Sequence, residues 1–387
     1  MENKIENVMF FLIKSLFCES SLLSEPLSEE ELSALYALSK KHDVAHLVGM
    51  ALERQGLLPK ESEIAKKFQK QQMIAMLRQE RLDFELTQIR RVFEATGIRF
   101  LPLKGAVLRS LYPVPWLRTS CDIDVLVDES NLDICVTLLC EQLGYTAEQE
   151  RNYHDISLHA PSGVHLELHF NILEHMAQLD GELSRVWEFA TPICDGAFGH
   201  RLTNEYLVFH TVAHMAYHFR HGGCGIRPLL DLFLMREKLT IDEAVLRSHL
   251  SACSLEAFYE SALTLSQVWF GDAEPTELSD AMQEYLLSGG VYGSLENRVS
   301  VAQSAQGGKA KYLLRRIFLP YCDLCLQYPV LKKHKLLTPI CEVRRWFRIL
   351  FGGRARRSAR ELRVSTTLSE EKIDRTGELM EKIGLSQ

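Results

Sequence analysis

Asp122-Ile123-Asp124-Val125-Leu126-Val127-Asp128 alternates carboxylates with apolar residues and then runs on apolar. Side chains two apart on a strand share a face, so the pattern describes a strand with carboxylates on one side and a hydrophobic layer on the other. Asp122 and Asp124 then lie side by side, and their oxygens can share one or two magnesium ions. Taken alone the pair says little, because unrelated strands carry D-x-D by chance. Its surroundings make it informative.

Upstream, Gly97 ends a helical pattern and Ile98-Arg-Phe-Leu-Pro-Leu103 reads as a strand, confined to an edge or terminal position by Pro102. It runs into Lys104-Gly105 and an apolar helix, Ala106 to Tyr112. Glycine at a strand-to-helix turn lets a phosphate approach backbone N–H groups at the positive helix end, and Lys104 adds a point charge. The plainer reading of Lys104 is a solvent-facing lysine at a strand end. Arg118 either offsets repulsion between Asp122 and Asp124 or binds phosphate. Downstream, Asp128 to Leu143 is an amphipathic helix closed by Gly144, and Asp155 to His159 pairs with Val164 to Phe170 across Pro161-Ser162-Gly163. His165, Glu167 and His169 share one face of that second strand. Glu167 is there as third metal ligand or as general base, and the two histidines read as core or sheet-face residues.

Farther out the chain is helical. Ser28-Glu29-Glu30-Glu31 is a capping box, and apolar residues recur at helical spacing in Leu32, Leu35, Tyr36, Leu38 and in Leu82, Phe84, Ile89, Val92. Helical patterns return over Glu205 to Phe219, Arg227 to Arg236, Ile241 to Ala252, Leu255 to Val268 and Leu278 to Leu287. Glycines at 289, 290 and 293 mark a break, Ser304 to Gly308 reads as a loop, and the charged tail beyond Ser365 has room for one weak helix. The expected fold class is α+β, a small mixed sheet embedded between helical regions. Its divisions are a helical region over 1–96, an α/β core over 97–175, a helical domain over 176–300, and a basic helical region with a tail over 301–387.

Hydrophobic residues make up 46% and charged residues 25% of 387 positions, an ordinary globular balance. No window approaches the roughly 18 to 20 apolar residues of a membrane span. The start lacks a basic region followed by a cleavable apolar core, so a cytoplasmic location is expected. The ten cysteines are scattered, which fits reduced thiols; Cys322 and Cys325 have zinc spacing but no second pair, and read as two thiols on a helix. Net charge is −7, unevenly placed: fifteen Lys and Arg stand against three acidic residues between Lys309 and Arg363, a local excess of about +12. The plain reading is the polar side of amphipathic helices that bury Leu331, Leu336, Ile340, Trp346, Phe347 and Leu350. RNA phosphates and an anionic membrane surface are the alternatives.

The run Leu103-Lys-Gly-Ala-Val-Leu108, then Tyr112-Pro113, Arg118 and Asp122-Ile-Asp124-Val-Leu-Val127, resembles the uncharacterised nucleotidyltransferase family of the DNA polymerase beta-like superfamily. Glu167-Leu-His169-Phe resembles its third-carboxylate strand, and His210-x3-His214-x3-His218 with Gly222 and Arg227-x3-Asp231 its helical continuation. Phe318-Leu-Pro320 and Arg344-Arg-Trp-Phe-Arg348 look like its C-terminal pattern. The resemblance covers roughly 30 to 350. It implies a palm-like core that moves an NMP from an NTP to an acceptor with two magnesium ions, Asp122 and Asp124 binding both, Glu167 as third carboxylate and Gly105 as phosphate-loop glycine. Gly105-Ala106 departs from the wider superfamily's Gly-Ser or Gly-Gly, so a serine hydroxyl contact to the triphosphate is missing. The alternative is therefore a catalytically silent nucleotide-binding or scaffold protein. The acceptor stays open among a small molecule, a protein and RNA. The three histidines share a helix face and, without H-E-x-x-H, read as a packed polar stripe. Arg227 and Asp231, four apart, read as a helix ion pair.

Overall fold

Ile123, Val125 and Val127 alternate with Asp122 and Asp124, and the chain forms the strand that this alternation favours. The computed structural model describes residues 2–18, 22–23, 26–59, 61–351 and 355–386. Its strands are β1 (Phe100–Pro102), β2 (Asp122–Val127), β3 (Thr146–Arg151), β4 (Asp155–His159) and β5 (His165–His169), in the order β1-β2-β5-β4-β3. β2 and β5 run parallel and the other neighbours antiparallel, so the sheet is mixed. Pro102 lies on the β1 edge, where its missing N–H costs no ladder bond.

Ile123, Val125 and Val127 of β2, Leu158 of β4, and Leu166 and Leu168 of β5 all point to one side of this sheet. There they bury against Leu82, Leu86, Ile89 and Phe93 of the helix Glu63–Thr96 and against Leu132, Cys135 and Leu139 of the helix Leu132–Leu143. Each such side chain contributes about 1.5–3 kcal/mol relative to exposure, which pins the register and leaves the alternate residues on the opposite face. Gly97 and Gly144 close the two helices in the left-handed conformation. Phe84, placed by periodicity among the packed residues, is instead largely exposed. The fold is α+β, with helices flanking a small sheet.

The chain divides into two compact units, Met1–Tyr217 with Gly225–Ser279, and His218–Cys224 with Asp280–Gln387. Within the first, a buried ion pair locks the segment ahead of β2. Arg118 Nε donates to Asp231 Oδ1 at 2.8 Å and Oδ2 at 2.9 Å, and Tyr112 Oη donates to Asp231 Oδ1 at 2.8 Å. This corrects the local pairing of Arg227 with Asp231. Arg227 instead reaches the Thr119 carbonyl and hydroxyl, and lies 3.6 Å from Asp43. The helical i,i+4 contact loses to a two-point, charge-assisted one from Arg118 that satisfies both oxygens of the buried carboxylate.

In the second unit, the turn at 218–224 is tied to Asn297, whose Nδ2 donates to the Gly222 carbonyl at 3.3 Å and the Tyr285 carbonyl at 2.8 Å. Ser304 lies inside the helix Leu295–Ala305, and the expected loop shrinks to a tight turn closed by Gly308 N–H on the Gln303 carbonyl at 2.8 Å. The tail helix is well packed. Glu370–Lys382 lies along Leu295–Ala305, with Ser300 Oγ donating to Thr376 Oγ1 at 2.8 Å. Gly377 permits this approach, since a Cβ there would stand 2.1 Å from Ser304 Oγ. The basic region departs most from expectation. Leu331 is buried and Trp346 half-buried, but Leu336, Ile340 and Phe347 are exposed. The Leu350 side chain lies outside the described residues. No helix among the described residues is long and apolar enough to cross a membrane.

The Arg118–Asp231 lock gives a stability test. Asp231→Asn leaves a guanidinium that is only 11% exposed without its counter-charge, and should cost about 3 kcal/mol in urea unfolding. Combining Arg118→Met with Asp231→Leu should recover most of that loss. A single variant as stable as wild type would show that the pair is not closed in solution.

Candidate functional site

The parallel register of β2 and β5 sets Asp122 beside His165 and Asp124 beside Glu167. All of these, with His169, lie on the face turned away from the core. Two overlapping groups bring one ligand atom from each member within 4.8 Å of the others: Asp122, His165 and Glu167, and Asp124, Glu167 and His169. Glu167 belongs to both. The third acidic residue thus stands with the pair, although forty residues and two strands separate them in sequence.

Asp124 is only 4% exposed, and a carboxylate so placed needs partners. Lys104 Nζ donates to its Oδ1 at 2.9 Å, and His169 Nε2 lies 3.0 Å from the same oxygen. His169 Nε2 is also 3.5 Å from Glu167 Oε2. Burial works against the Asp124 charge, but the Lys104 ammonium and the His169 hydrogen bond outweigh it and hold the carboxyl well below its ordinary range. Burial, reinforced by Asp124 and Glu167, pushes the Asp122 carboxyl up to about 6. The His169 hydrogen bond lowers Glu167. Burial likewise opposes a charge on His169, yet the Asp124 and Glu167 acceptors raise it above the ordinary imidazole value. Three crowded carboxylates in which one titrates late are short of positive charge. Their hard oxygen donors suit magnesium.

Lys104 has φ 44° and ψ −119°, a conformation rare for a residue with a side chain, at a cost of about 1–3 kcal/mol. The fold holds it from both sides. Leu103 N–H donates to the Asp124 carbonyl at 3.0 Å, and the Lys104 carbonyl accepts from Val107 and Leu108 at 3.1 and 2.9 Å. The helix that follows is shorter than expected, Gly105–Leu108 and then a 3-10 turn Arg109–Leu111. Arg109 folds back to donate to the Gly105 carbonyl at 2.7 Å and to Ser120 Oγ at 3.1 Å. That brings Ser120 so near that a Cβ on Gly105 would meet its Cβ and Oγ at 3.0 Å. Glycine here has a packing reason independent of any phosphate. The Arg118 guanidinium bonds to Asp231 and the Thr119 carbonyl and not to the β2 carboxylates considered for it.

The helix Asn204–Arg220 borders the site. Burial pushes His210 and His214 down to about 3, and the charges of Lys104 and Asp124 reach both. His214 Nδ1 lies 2.6 Å from Glu174 Oε1. These two form a packed polar stripe, His210 buried and His214 half-buried, while His218 belongs to the second unit. His169, read from sequence as a core or sheet-face histidine, hydrogen-bonds the site carboxylates, and Glu174 was passed over. For His169 the signal was present, two positions from Glu167 on the same strand face; Glu174 lies in a segment without regular structure and gave none.

The raised Asp122 carboxyl sets the sign of a pH effect. Its folded form holds a proton more tightly than the unfolded chain, so the associated stability is present below the ordinary carboxyl range and is lost as pH rises through about 6. Asp122→Asn should therefore stabilise the metal-free protein by about 1–2 kcal/mol at neutral pH. The gain should vanish toward about pH 4 in chelator-treated thermal melts. A gain that grows toward acid would contradict the crowding of these carboxylates.

No curated protein matches the chain significantly. A family profile described as uncharacterised nucleotidyltransferase matches residues 28–271. The matched span contains Lys104, Gly105, Arg118, Asp122, Asp124 and Glu167, and ends before Phe318–Pro320 and Arg344–Arg348. With well over half of its 387 residues in the match, the chain belongs to this nucleotidyltransferase family.

Proposed function

We propose that this protein transfers a nucleoside monophosphate from an NTP to an acceptor hydroxyl or amine, at a magnesium site made by Asp122, Asp124 and Glu167. The pairing of Asp124 with Glu167 across β2 and β5 is the observation that carries this reading. Magnesium bound there would supply charge neutralisation at the phosphate oxygens and activation of the attacking group. Glu167 acts as a ligand in preference to a base, because a carboxylate held below its ordinary range is a poor proton acceptor. Asp122 completes the ligand set once deprotonated. His169 orients Asp124 and Glu167 through its hydrogen bonds. Lys104 contributes an ammonium to the triphosphate, and Gly105 keeps the turn close to Ser120. We read Arg118, first considered for nucleotide binding, as a strut that fixes the approach to β2 through Asp231.

A second reading, a silent nucleotide-binding or scaffold protein, draws on Ala106, which supplies no hydroxyl, and on Lys104, whose ammonium already neutralises Asp124. The two separate in one experiment. Incubation with NTPs labelled at the α-phosphate and a broad set of hydroxyl and amine acceptors, RNA included, should give a magnesium-dependent labelled product. Asp124→Asn should reduce its rate at least about a hundredfold. NTP binding without product across the whole set would favour the silent reading.

A further inference from the structure

The second unit carries an apolar surface that its own core leaves uncovered. Leu324, Tyr328 and Leu331 form a small buried cluster with Cys341, and this cluster takes up one side of the helix Thr338–Phe351. On another side Ile340, Val343, Phe347 and Phe351 recur at spacings of three, four and four, which places them on one face. All four are exposed, Phe351 by 80%, and Leu336 just before the helix is 94% exposed. The Phe347 and Phe351 rings stack with centroids 5.8 Å apart. Soluble monomers rarely leave an apolar face of this kind open, because it gains nothing from contact with water.

The charges around this face have one sign. Arg344 and Arg348 follow Val343 and Phe347 along the helix and border the stripe, and Lys332, Lys333 and Lys335 precede it; all five are exposed. We infer that this face docks on the surface of an anionic phospholipid bilayer. Its apolar side chains enter the boundary between headgroups and acyl chains, and its arginines and lysines meet lipid phosphates. The chemistry of the stripe separates this occupant from others. Single-stranded RNA is held by planar side chains on which bases stack; Phe347 and Phe351 supply two rings, but these already stack on each other, and Leu336, Ile340 and Val343 offer aliphatic branches with no stacking face. A second copy docked face to face through this stripe would bring one cationic border against another. With no helix among the described residues suited to crossing a membrane, the unit lies on the bilayer without spanning it.

The test is co-sedimentation of the full chain with vesicles of phosphatidylcholine alone or of phosphatidylcholine with phosphatidylserine. Binding is expected on the anionic vesicles only, weakening as salt is raised. Removing two charges, in Arg344→Gln with Arg348→Gln, should weaken it about thirtyfold. Phe347→Ser with Phe351→Ser should weaken it at least about tenfold. The phenylalanine pair is exposed, so its thermal unfolding should stay at the wild-type midpoint. Arg348 also donates to Gln327 Oε1 at 2.7 Å, so Lys332→Gln with Lys333→Gln replaces the arginine pair if that pair melts early, and Leu336→Ser replaces the phenylalanine pair. Binding to neither vesicle, equal binding to both, or wild-type binding by the phenylalanine variant would overturn the inference. So would displacement from vesicles by a single-stranded RNA that binds the phenylalanine variant as well as the wild type.

Discussion

Burying the Asp124 carboxylate costs several kcal/mol unless charged partners accompany it, and the arrangement of the site follows from how they are supplied. Lys104 and His169 both converge on Oδ1. To deliver Lys104, the chain leaves the β1 edge through a strained backbone turn. To deliver His169, β5 must lie beside β2 in a register that also brings Glu167 opposite Asp124. One buried charge thereby couples the Lys104-Gly105 turn, the paired aspartates and Glu167.

The hydrophobic layer beneath makes that register durable. Ile123, Val125, Leu166 and Leu168 are all close to fully buried against two helices. A slip of one residue would turn the carboxylates into this core and the aliphatic side chains into the site. The site is therefore held by packing on one face and assembled by electrostatics on the other. Asp122 is the member least satisfied by protein partners, and its late titration marks where a cation has most to offer.

Period and punctuation made much of this legible in the sequence. Alternation gave the strands at 122 and 165, glycines 97 and 144 gave the helix ends, and spacing by two gave the shared face of Glu167 and His169. Long-range features were not legible. β3, Thr146 to Arg151, is a polar edge strand with no apolar alternation to announce it. The partner of Asp231 is set by tertiary packing, which overrode helical spacing and gave the carboxylate to Arg118. The positive φ of Lys104 and the steric demand of Ser120 on Gly105 arise only once the turn closes. In the basic region helical periodicity separated apolar from charged faces, but the small core of the second unit covers only part of the apolar one, so Leu336, Ile340 and Phe347 face solvent.

Family membership supplies the chemical class, and the carboxylate cluster is where that class becomes specific to this chain. The most direct measurement is calorimetry of NTP binding with and without magnesium, on the wild type and on the double variant Asp122→Asn, Asp124→Asn. A metal and triphosphate site at β2 gives saturable, magnesium-dependent binding in the wild type and none in the variant. Equal binding by both proteins, or binding by neither, would contradict it.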